Sequence, residues 1–237
     1  MFRASRGDKI IDRTDPAPFT WTVVIPVKVL SRAKSRLAAW AGPRRAELAL
    51  AVACDTVSAV LETFCVSGVV VVTSDAVAAR ELSLLGAAVV PEEAHGTSDG
   101  LNGALLAGAA VARARRPEAG IAALAADLPA LRPEELDRAL RAVRAPSFVP
   151  DAAGIGTTLY AVPPGWSFAP RFGGRSRERH ARHGGTEVRL DDVPGLRHDV
   201  DMPDDLRAAV GLGVGPRTAA VAADLFRCAQ QDRSASA

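Results

Sequence analysis

The 237-residue chain lacks several features that would define an unusual environment. No segment reaches the roughly 20 consecutive apolar residues that a membrane helix needs, and the first 20 residues contain no apolar run typical of a secretion signal. The net charge of +2 is too small to favour nucleic acid or a membrane surface as a partner. The three cysteines have no metal-ligand spacing, which is typical of free thiols in a reducing compartment. We therefore expect a cytoplasmic protein.

Lysine is also scarce: of the 29 lysine and arginine residues, only Lys9, Lys28 and Lys34 are lysine. Two of these lysines lie in "VIPVKVLSRAKSRLA", directly after the first predicted strand, together with Arg32 and Arg36. Such a loop can neutralise a triphosphate, although it lacks the glycine-rich pattern of a P-loop. The alternative is a solvated basic loop without a ligand.

Apolar runs such as "GVVVVTS" and "GIAALAAD" alternate with helical patterns along the chain. This alternation predicts an α/β fold: a single Rossmann-like domain with a mostly parallel sheet covered on both faces. We expect a disordered leader at 1–20, the domain at 21–212, whose last helix begins at Pro203, and a flexible tail at 213–237. "LRHDVD" is expected to be extended. Since ligands bind beyond the carboxyl ends of parallel strands, polar motifs there are the candidates for chemistry.

Acidic residues follow two of these predicted extended segments. Asp127 ends an apolar strand, while Asp199 and Asp201 lie two apart in an extended segment, with Cα atoms ~7 Å apart and side chains on one side. Like charges held together require a cation, so the three carboxylates predict an oxygen-rich site for Mg²⁺ rather than zinc. Asp204 and Asp205 follow Pro203 and are expected to cap a helix instead. For Asp127 the alternative is a helix cap before "RPEEL".

Two further motifs offer small polar groups. "SDGLNGAL", with Asp99 and Asn102, begins a helix and could contact a base or ribose, or could be a plain helix start. "GIGTTLYA" and "FGGRSRERH" supply hydroxyl and backbone N–H groups beside several arginines, which suits a small phosphorylated acid; the alternative is a flexible arginine-rich loop. The candidate residues in these two segments are Thr157, Thr158, Gly173 and Ser176.

Together these segments resemble one family, the guanylyltransferases of deazaflavin coenzyme F-420 biosynthesis known as CofC or FbiD. The matching pieces are "IPVK..L..AKSRL", "GLN.AL", "ADLPAL", "D..G.GTTL", "FG..S...H" and "DVD.P.DL", which occur in family order over about residues 22 to 210. One departure is Phe172-Gly173-Gly174-Arg175-Ser176, where the family pattern reads like FGPGS. If the glycine replaced by Arg175 required a positive φ, this loop must have a different shape.

The resemblance implies a fold of the nucleotide-diphospho-sugar transferase (GT-A-like) type and Mg²⁺-dependent transfer of GMP from GTP to a phosphorylated three-carbon acid. We expect phosphoenolpyruvate as acceptor, giving enolpyruvyl-diphospho-5′-guanosine and pyrophosphate, with 2-phospho-L-lactate or 3-phosphoglycerate as alternatives. The transferase that consumes the product is a candidate partner. The family's metal ligands fall on Asp127, Asp199 and Asp201, its acceptor contacts on Thr157 or Thr158, Gly173 and Ser176, and its first-loop cations on Lys28 and Lys34.

The expected mechanism needs no general base, because the acceptor phosphate is already ionised, so no histidine is assigned that role. Two Mg²⁺ ions about 4 Å apart would activate the attacking and leaving oxygens, while Lys28, Lys34 and Arg36 steady the pyrophosphate. More distant alternatives are another nucleotidyltransferase of the same fold, although those usually have a glycine-rich first loop, or a non-catalytic nucleotide-binding domain.

Overall fold

A computed structural model describes residues 19–92 and 100–235 of the chain. The expected leader therefore lies almost entirely outside the described residues, as does Asp99. Within the part of the chain that the structure describes, no helix combines the length and apolar character needed to cross a bilayer.

Seven strands form one sheet in the order β3-β2-β1-β4-β6-β5-β7. They are β1 Trp21–Pro26, β2 Val66–Val72, β3 Ala88–Val90, β4 Gly120–Leu124, β5 Ser147–Pro150, β6 Thr157–Val162 and β7 Thr186–Glu187. Strands β1 to β4 are mutually parallel, whereas β6 is antiparallel to both of its neighbours, β4 and β5. Because β6 is reversed, its first residues lie at the same edge of the sheet as the carboxyl ends of β1, β4 and β5. The predicted mostly parallel α/β fold is confirmed.

Helices cover both faces of the sheet. They are α1 Ala38–Ala41, α2 Arg45–Leu61, α3 Ala76–Leu85, α4 Gly100–Arg115, α5 Pro133–Ala142, α6 Ser176–Arg182, α7 Pro194–Arg197, α8 Pro203–Leu212 and α9 Pro216–Ala235. Alternate residues of β1 enter opposite cores: Val23 packs in the cluster that includes α2 and α5, and Val24 packs in the cluster that includes α4. Burial on both faces explains why the central strands read as unbroken apolar runs.

The expected flexible tail is wrong, because Pro216–Ala235 forms α9. Its apolar side chains Val221, Ala222 and Leu225 are buried in a third cluster with α2 and α8. The buried carboxylate of Asp55 in α2 accepts hydrogen bonds from the backbone N–H groups of Arg217 and Thr218 at 3.3 and 2.7 Å, which caps the start of α9. The last helix is therefore α9 and not α8.

The expectation that "LRHDVD" is extended is also only partly correct. Pro194–Arg197 forms the short helix α7, and no strand is assigned over His198–Asp201. Glu135 of α5 accepts a hydrogen bond from the N–H of Gly195 at 3.2 Å, and a side chain at Gly195 would collide with the carbonyl of Ala130. This close packing against α5 fixes where the acidic segment begins.

Candidate active site at the carboxyl edge of the sheet

A cleft of about 840 Å³ opens at the carboxyl edge of the sheet. Its walls come from the segments that follow β1, β4 and β5, from the start of β6, and from the loops at 172–176 and 198–205. Nine of the residues predicted from sequence line it: Lys28, Lys34, Arg36, Asp127, Thr157, Gly173, Ser176, Asp199 and Asp201. Motifs that are distant in the chain therefore share one cleft, as expected for side chains that follow parallel strands.

The loop after β1 is held in shape by polar contacts from two helices. The carboxylate of Asp75, at the start of α3, accepts the N–H of Leu30 at 2.9 Å, and the guanidinium of Arg45 in α2 donates to the carbonyls of Ser31 and Ala33. Within this loop Lys34 has φ 52°, the only positive φ of a non-glycine residue among those described. This left-handed conformation is costly for lysine, so its persistence indicates that the surrounding contacts fix the side chain's direction.

The ammonium of Lys34 lies between acidic residues from two other segments. Its Nζ atom is 2.5 Å from an Asp127 carboxylate oxygen and 3.5 Å from one of Asp201, and it also donates to the carbonyl of Val200. Burial alone would lower the pKa of Lys34, but the attraction of Asp127, Asp201 and Asp199 outweighs it and raises the pKa above the ordinary lysine value. The lysine is therefore a permanent positive charge among these carboxylates.

The surroundings of Asp199 disfavour its charged form. Burial, and then the neighbouring charges of Asp127, Asp151 and Asp201, raise the pKa of Asp199 to about 6. Lys34 and Arg36, whose guanidinium is 3.2 Å from Asp201, supply two positive charges against the three predicted metal acids. A cation other than these side chains would relieve the remaining repulsion.

The carboxylates suit Mg²⁺ in their chemistry, although the protein does not by itself form a closed cage. Among the described residues, no three acidic, histidine or cysteine side chains lie together at metal-ligand spacing. Mg²⁺ usually takes only one or two protein carboxylates and completes its shell with water and substrate phosphate oxygens. The donor set at the cleft therefore fits a metal that arrives with a nucleotide.

The acidic segment is fixed by backbone contacts on both sides. The N–H of Val200 donates to the carbonyl of Asp127 at 3.1 Å, which ties the segment to the end of β4. Asp205 accepts the N–H groups of Asp201 and Met202 at 3.0 and 2.7 Å, so it caps α8 as predicted. Asp204 is at the exposed start of the same helix, paired with Arg207.

The opposite wall of the cleft carries small polar groups. Asp151, after β5, accepts the N–H groups of Ile155 and Gly156 at 2.9 and 2.7 Å and so shapes the turn that leads to Thr157. In the facing loop, Gly173 and Gly174 have φ values of 97° and 46°, whereas Arg175 has φ −79°. The replacement of a glycine by Arg175 therefore adds no backbone strain.

Asn102 and Thr158, predicted to contact substrate, do not lie in the wall of the cleft. Both are buried, at 5% and 1% exposure. The side-chain amide of Asn102 donates to the carbonyl of Phe172 at 3.2 Å and accepts its N–H at 2.9 Å. Asn102 thus supports the 172–176 loop from behind, and of the two threonines only Thr157 faces the cleft.

His180 in α6 is a site residue that the sequence did not single out. Its ring is buried at 1% exposure, stacked on Tyr160 and Phe148 with centroid distances of 4.6 and 5.7 Å, and touched edge-on by Phe172. Nδ1 is 3.1 Å from Oγ1 of Thr157, and Nε2 accepts the N–H of Arg171 at 2.9 Å. Only the motif "FG..S...H" could have indicated it, since its aromatic neighbours come from three separate segments.

Comparison with protein families and curated proteins gives a consistent result. The family model described as "Guanylyl transferase CofC like" matches residues 21–220. A phosphoenolpyruvate guanylyltransferase from Thermomonospora curvata is 58% identical over 215 residues, covering 90% of this chain and 93% of that protein. One from Streptomyces coelicolor is also 58% identical, over 89% of this chain and 99% of its own length.

Solved structures share the fold at low sequence identity. A protein described as a nucleotide-diphospho-sugar transferase, from Desulfovibrio desulfuricans G20, superimposes with a TM-score of 0.63 at 17% identity, covering 87% of this chain and 94% of that one. A nucleotidyl transferase from Methanothermobacter thermautotroptrophicus gives 0.54 at 19% identity, covering 81% and 97%. The expected nucleotide-diphospho-sugar transferase type of fold is thereby confirmed.

Proposed function

The chain belongs to the CofC-like guanylyl transferase family, and we propose that its cleft transfers GMP from GTP to phosphoenolpyruvate, yielding enolpyruvyl-diphospho-5′-guanosine and pyrophosphate for coenzyme F-420 biosynthesis. The acceptor is taken from the relatives, which carry the name phosphoenolpyruvate guanylyltransferase at 58% identity over most of both chains. The transferase that next uses this activated product is the expected protein partner.

The observation that carries the proposal is the convergence of Lys34 with Asp127 and Asp201 at the cleft, 2.5 and 3.5 Å from the ammonium. A reaction between two polyanions requires positive charge that is already in position, because bringing the phosphates together is the main obstacle. Charges of opposite sign in one cluster can hold both cations and phosphates without rearranging the sheet. A plain nucleotide-binding domain would not need this set of acids.

We assign the cleft's two sides to the two substrates. Lys28, Lys34 and Arg36, on the loop after β1, would contact the phosphates of GTP. Thr157, Gly173 and Ser176, on the opposite wall, would contact the acceptor. Asp127, Asp199 and Asp201 would hold Mg²⁺, which when bound supplies charge neutralisation for the phosphate oxygens.

The chemistry is a displacement at the α-phosphorus of GTP. An ionised phosphate oxygen of the acceptor forms the new P–O bond, the bond between the α-phosphorus and the β-bridging oxygen breaks, and pyrophosphate leaves. No proton must be removed from the acceptor, because its phosphate is already ionised, and the reaction therefore requires no histidine as a general base. The protein's part is to position and neutralise the two substrates.

The direct test is product mass after incubation with GTP, Mg²⁺ and one acceptor at a time: phosphoenolpyruvate, 2-phospho-L-lactate or 3-phosphoglycerate. We expect the guanosine diphosphate adduct of phosphoenolpyruvate, little product with ATP in place of GTP, and loss of activity when Mg²⁺ is chelated. If another adduct forms preferentially, its acid replaces phosphoenolpyruvate as the acceptor. Pyrophosphate release without any adduct would reject guanylyl transfer to these acids altogether.

A matched pair of variants locates the reaction at the acidic segment. Asp201→Asn removes a charge that faces Lys34 and should reduce turnover at least about a hundredfold, the usual loss for one preorganised electrostatic group. Asp204→Asn, three residues further on, removes an exposed charge paired with Arg207 and should leave turnover within about twofold. Equal effects of the two substitutions would move the reaction away from this segment.

A further inference from the structure

The hydrogen bonds of His180 determine which of its ring nitrogens carries the proton. A backbone N–H can only donate, so Nε2, which receives the N–H of Arg171 at 2.9 Å, must be unprotonated. Burial, and then the nearby charge of Arg179, lower the pKa of His180 to about 4, so the ring is neutral at physiological pH. A neutral imidazole carries one proton, which must therefore be on Nδ1.

This tautomer determines whether the Thr157 hydroxyl acts as a hydrogen-bond donor or acceptor toward the cleft. Nδ1–H lies 3.1 Å from Oγ1 of Thr157 and is also hydrogen-bonded to the backbone of Ser176. Because Nδ1 carries a proton, the Thr157 hydroxyl cannot donate to the ring, and its own proton remains available. Within the described part of the chain, Oγ1 of Thr157 has no other hydrogen-bond partner. In the opposite tautomer the hydroxyl would donate to Nδ1 and would present only lone pairs to the cleft, which would repel a phosphate or carboxylate.

The ring cannot easily adopt another arrangement. Tyr160 and Phe148 stack on it with interplanar angles of 13° and 25°, and Phe172 meets it at 80°. A ring flip would place carbon atoms against the N–H of Arg171 and the hydroxyl of Thr157, leaving a buried donor without an acceptor. The same ring therefore fixes both the threonine and the start of the 172–176 loop.

We propose that His180 is a positioning residue which, as the Nδ1-protonated tautomer, turns the Thr157 hydroxyl into a hydrogen-bond donor toward the phosphorylated acid in the cleft. The inference rests on the proposed function for the identity of that acid, but the protonation pattern of the ring does not depend on it. His180 itself contacts neither substrate and acts only through Thr157 and the Arg171–Phe172 backbone.

The tautomer can be measured in the unmodified protein. Long-range ¹H–¹⁵N spectra of protein labelled at histidine nitrogens distinguish protonated from unprotonated ring nitrogens, and the His180 signals are assigned by their loss in His180→Gln. We expect a protonated Nδ1, an unprotonated Nε2 and no titration between pH 6 and 8. A protonated Nε2, or a ring that gains a second proton in this range, would overturn the proposal even if the enzyme turns over normally.

Two substitutions at His180 separate the donor from the rest of the ring's contacts. His180→Asn places an amide N–H near the position of Nδ1, whereas His180→Gln places its polar atoms nearer Nε2; both lose the aromatic stacking equally. We expect His180→Gln to raise the KM for the acceptor about tenfold to a hundredfold, the value of one hydrogen bond to a charged group. His180→Asn should recover most of that loss, and the KM for GTP should change less than about twofold in both variants.

Thr157→Val and a neighbouring histidine supply the controls. In the Thr157→Val background, His180→Gln should add no further increase in the acceptor KM, because the donor no longer has a hydroxyl to orient. His183→Gln, at the exposed residue that follows α6, should change neither KM. Equal rises in the KM values of both substrates, or full additivity with Thr157→Val, would reduce His180 to a structural residue. Absence of any guanylyl product in the parent protein would instead reject the proposed function, while the spectra still test the tautomer.

Discussion

At the level of single residues, Lys34 is the positive charge on which the acidic side chains of the cleft converge. Its left-handed backbone at φ 52° directs the side chain to Asp127, and Asp201 and Asp199 lie near enough to raise its pKa. The sequence drew attention to Lys34 because lysine is rare in this arginine-rich chain, and an ammonium is a more compact charge than a guanidinium. Its bond to Asp127 could not be predicted, because the sequence separation of 93 residues gives no distance.

Removing this charge should destabilise the metal-free protein. Methionine has a side chain of similar length and meets the same backbone cost at a positive φ as lysine. Lys34→Met therefore removes only the positive charge that balances Asp127 and the neighbouring acids. We expect a loss of about 3 kcal/mol in the free energy of unfolding, at the low end for a broken buried ion pair because Asp201 is half exposed. The measurement is urea unfolding in the presence of a chelator, repeated with Mg²⁺, which should restore part of the loss.

Arg36→Met provides the control for that variant. The Arg36 side chain is 69% exposed and pairs with Asp201 at 3.2 Å, so its removal should cost less than about 1 kcal/mol. If Lys34→Met is no less stable than Arg36→Met, or if Mg²⁺ affects the two variants equally, Lys34 does not compensate the acidic cluster.

At the level of helices and strands, the sequence located most elements but not their directions or their packing. Apolar runs predicted β1, β2 and β4, and the pattern after Pro133 predicted α5, since burial and helix-start chemistry act locally. The reversal of β6 could not be read from a strand pattern, because period-two alternation is the same in both directions. That reversal is what brings Thr157 to the cleft.

Helix α9 was missed because its sequence is rich in small and polar residues and buries only a narrow stripe. The signal that could have indicated it is Asp55, a carboxylate on the buried side of the apolar helix α2 that requires a partner. Its partners are the N–H groups at the start of α9, beyond Gly215, where a side chain would collide with Asp55. The two helices are therefore joined by a cap that spans 163 residues of sequence.

Asp55→Ala should remove both hydrogen bonds that cap the start of α9. We expect a loss of about 1–2 kcal/mol in the free energy of unfolding, the usual value of a helix N-cap, measured by urea unfolding at constant salt. Asp224→Ala, which removes an exposed carboxylate of α9 paired with Arg44 and Arg227, should cost less than about 1 kcal/mol. A cost for Asp55→Ala no greater than that for Asp224→Ala would mean that α9 is held by its apolar contacts alone.

At the level of the whole molecule, one edge of the sheet collects charge from segments that lie far apart in sequence. The rule that ligands bind beyond the carboxyl ends of parallel strands predicted that the motifs would meet there, and nine of the predicted residues line the cleft at that edge. Asn102 and Thr158 lie behind the wall of the cleft, because a sequence motif does not distinguish a residue that lines a site from one that supports it. The aromatic contacts of His180 could not be predicted from the sequence, because they form only when β5, β6 and the 172–176 loop pack together.

The most direct test of the central claim follows the oxygen atoms of the acceptor. Phosphoenolpyruvate labelled with ¹⁸O at its non-bridging phosphate oxygens is incubated with unlabelled GTP and Mg²⁺, and the products are separated and weighed by mass spectrometry. We expect all of the label in the guanosine diphosphate adduct and none in the released pyrophosphate. Label in pyrophosphate, or GMP formed by hydrolysis without an adduct, would contradict attack by the acceptor phosphate on the α-phosphorus.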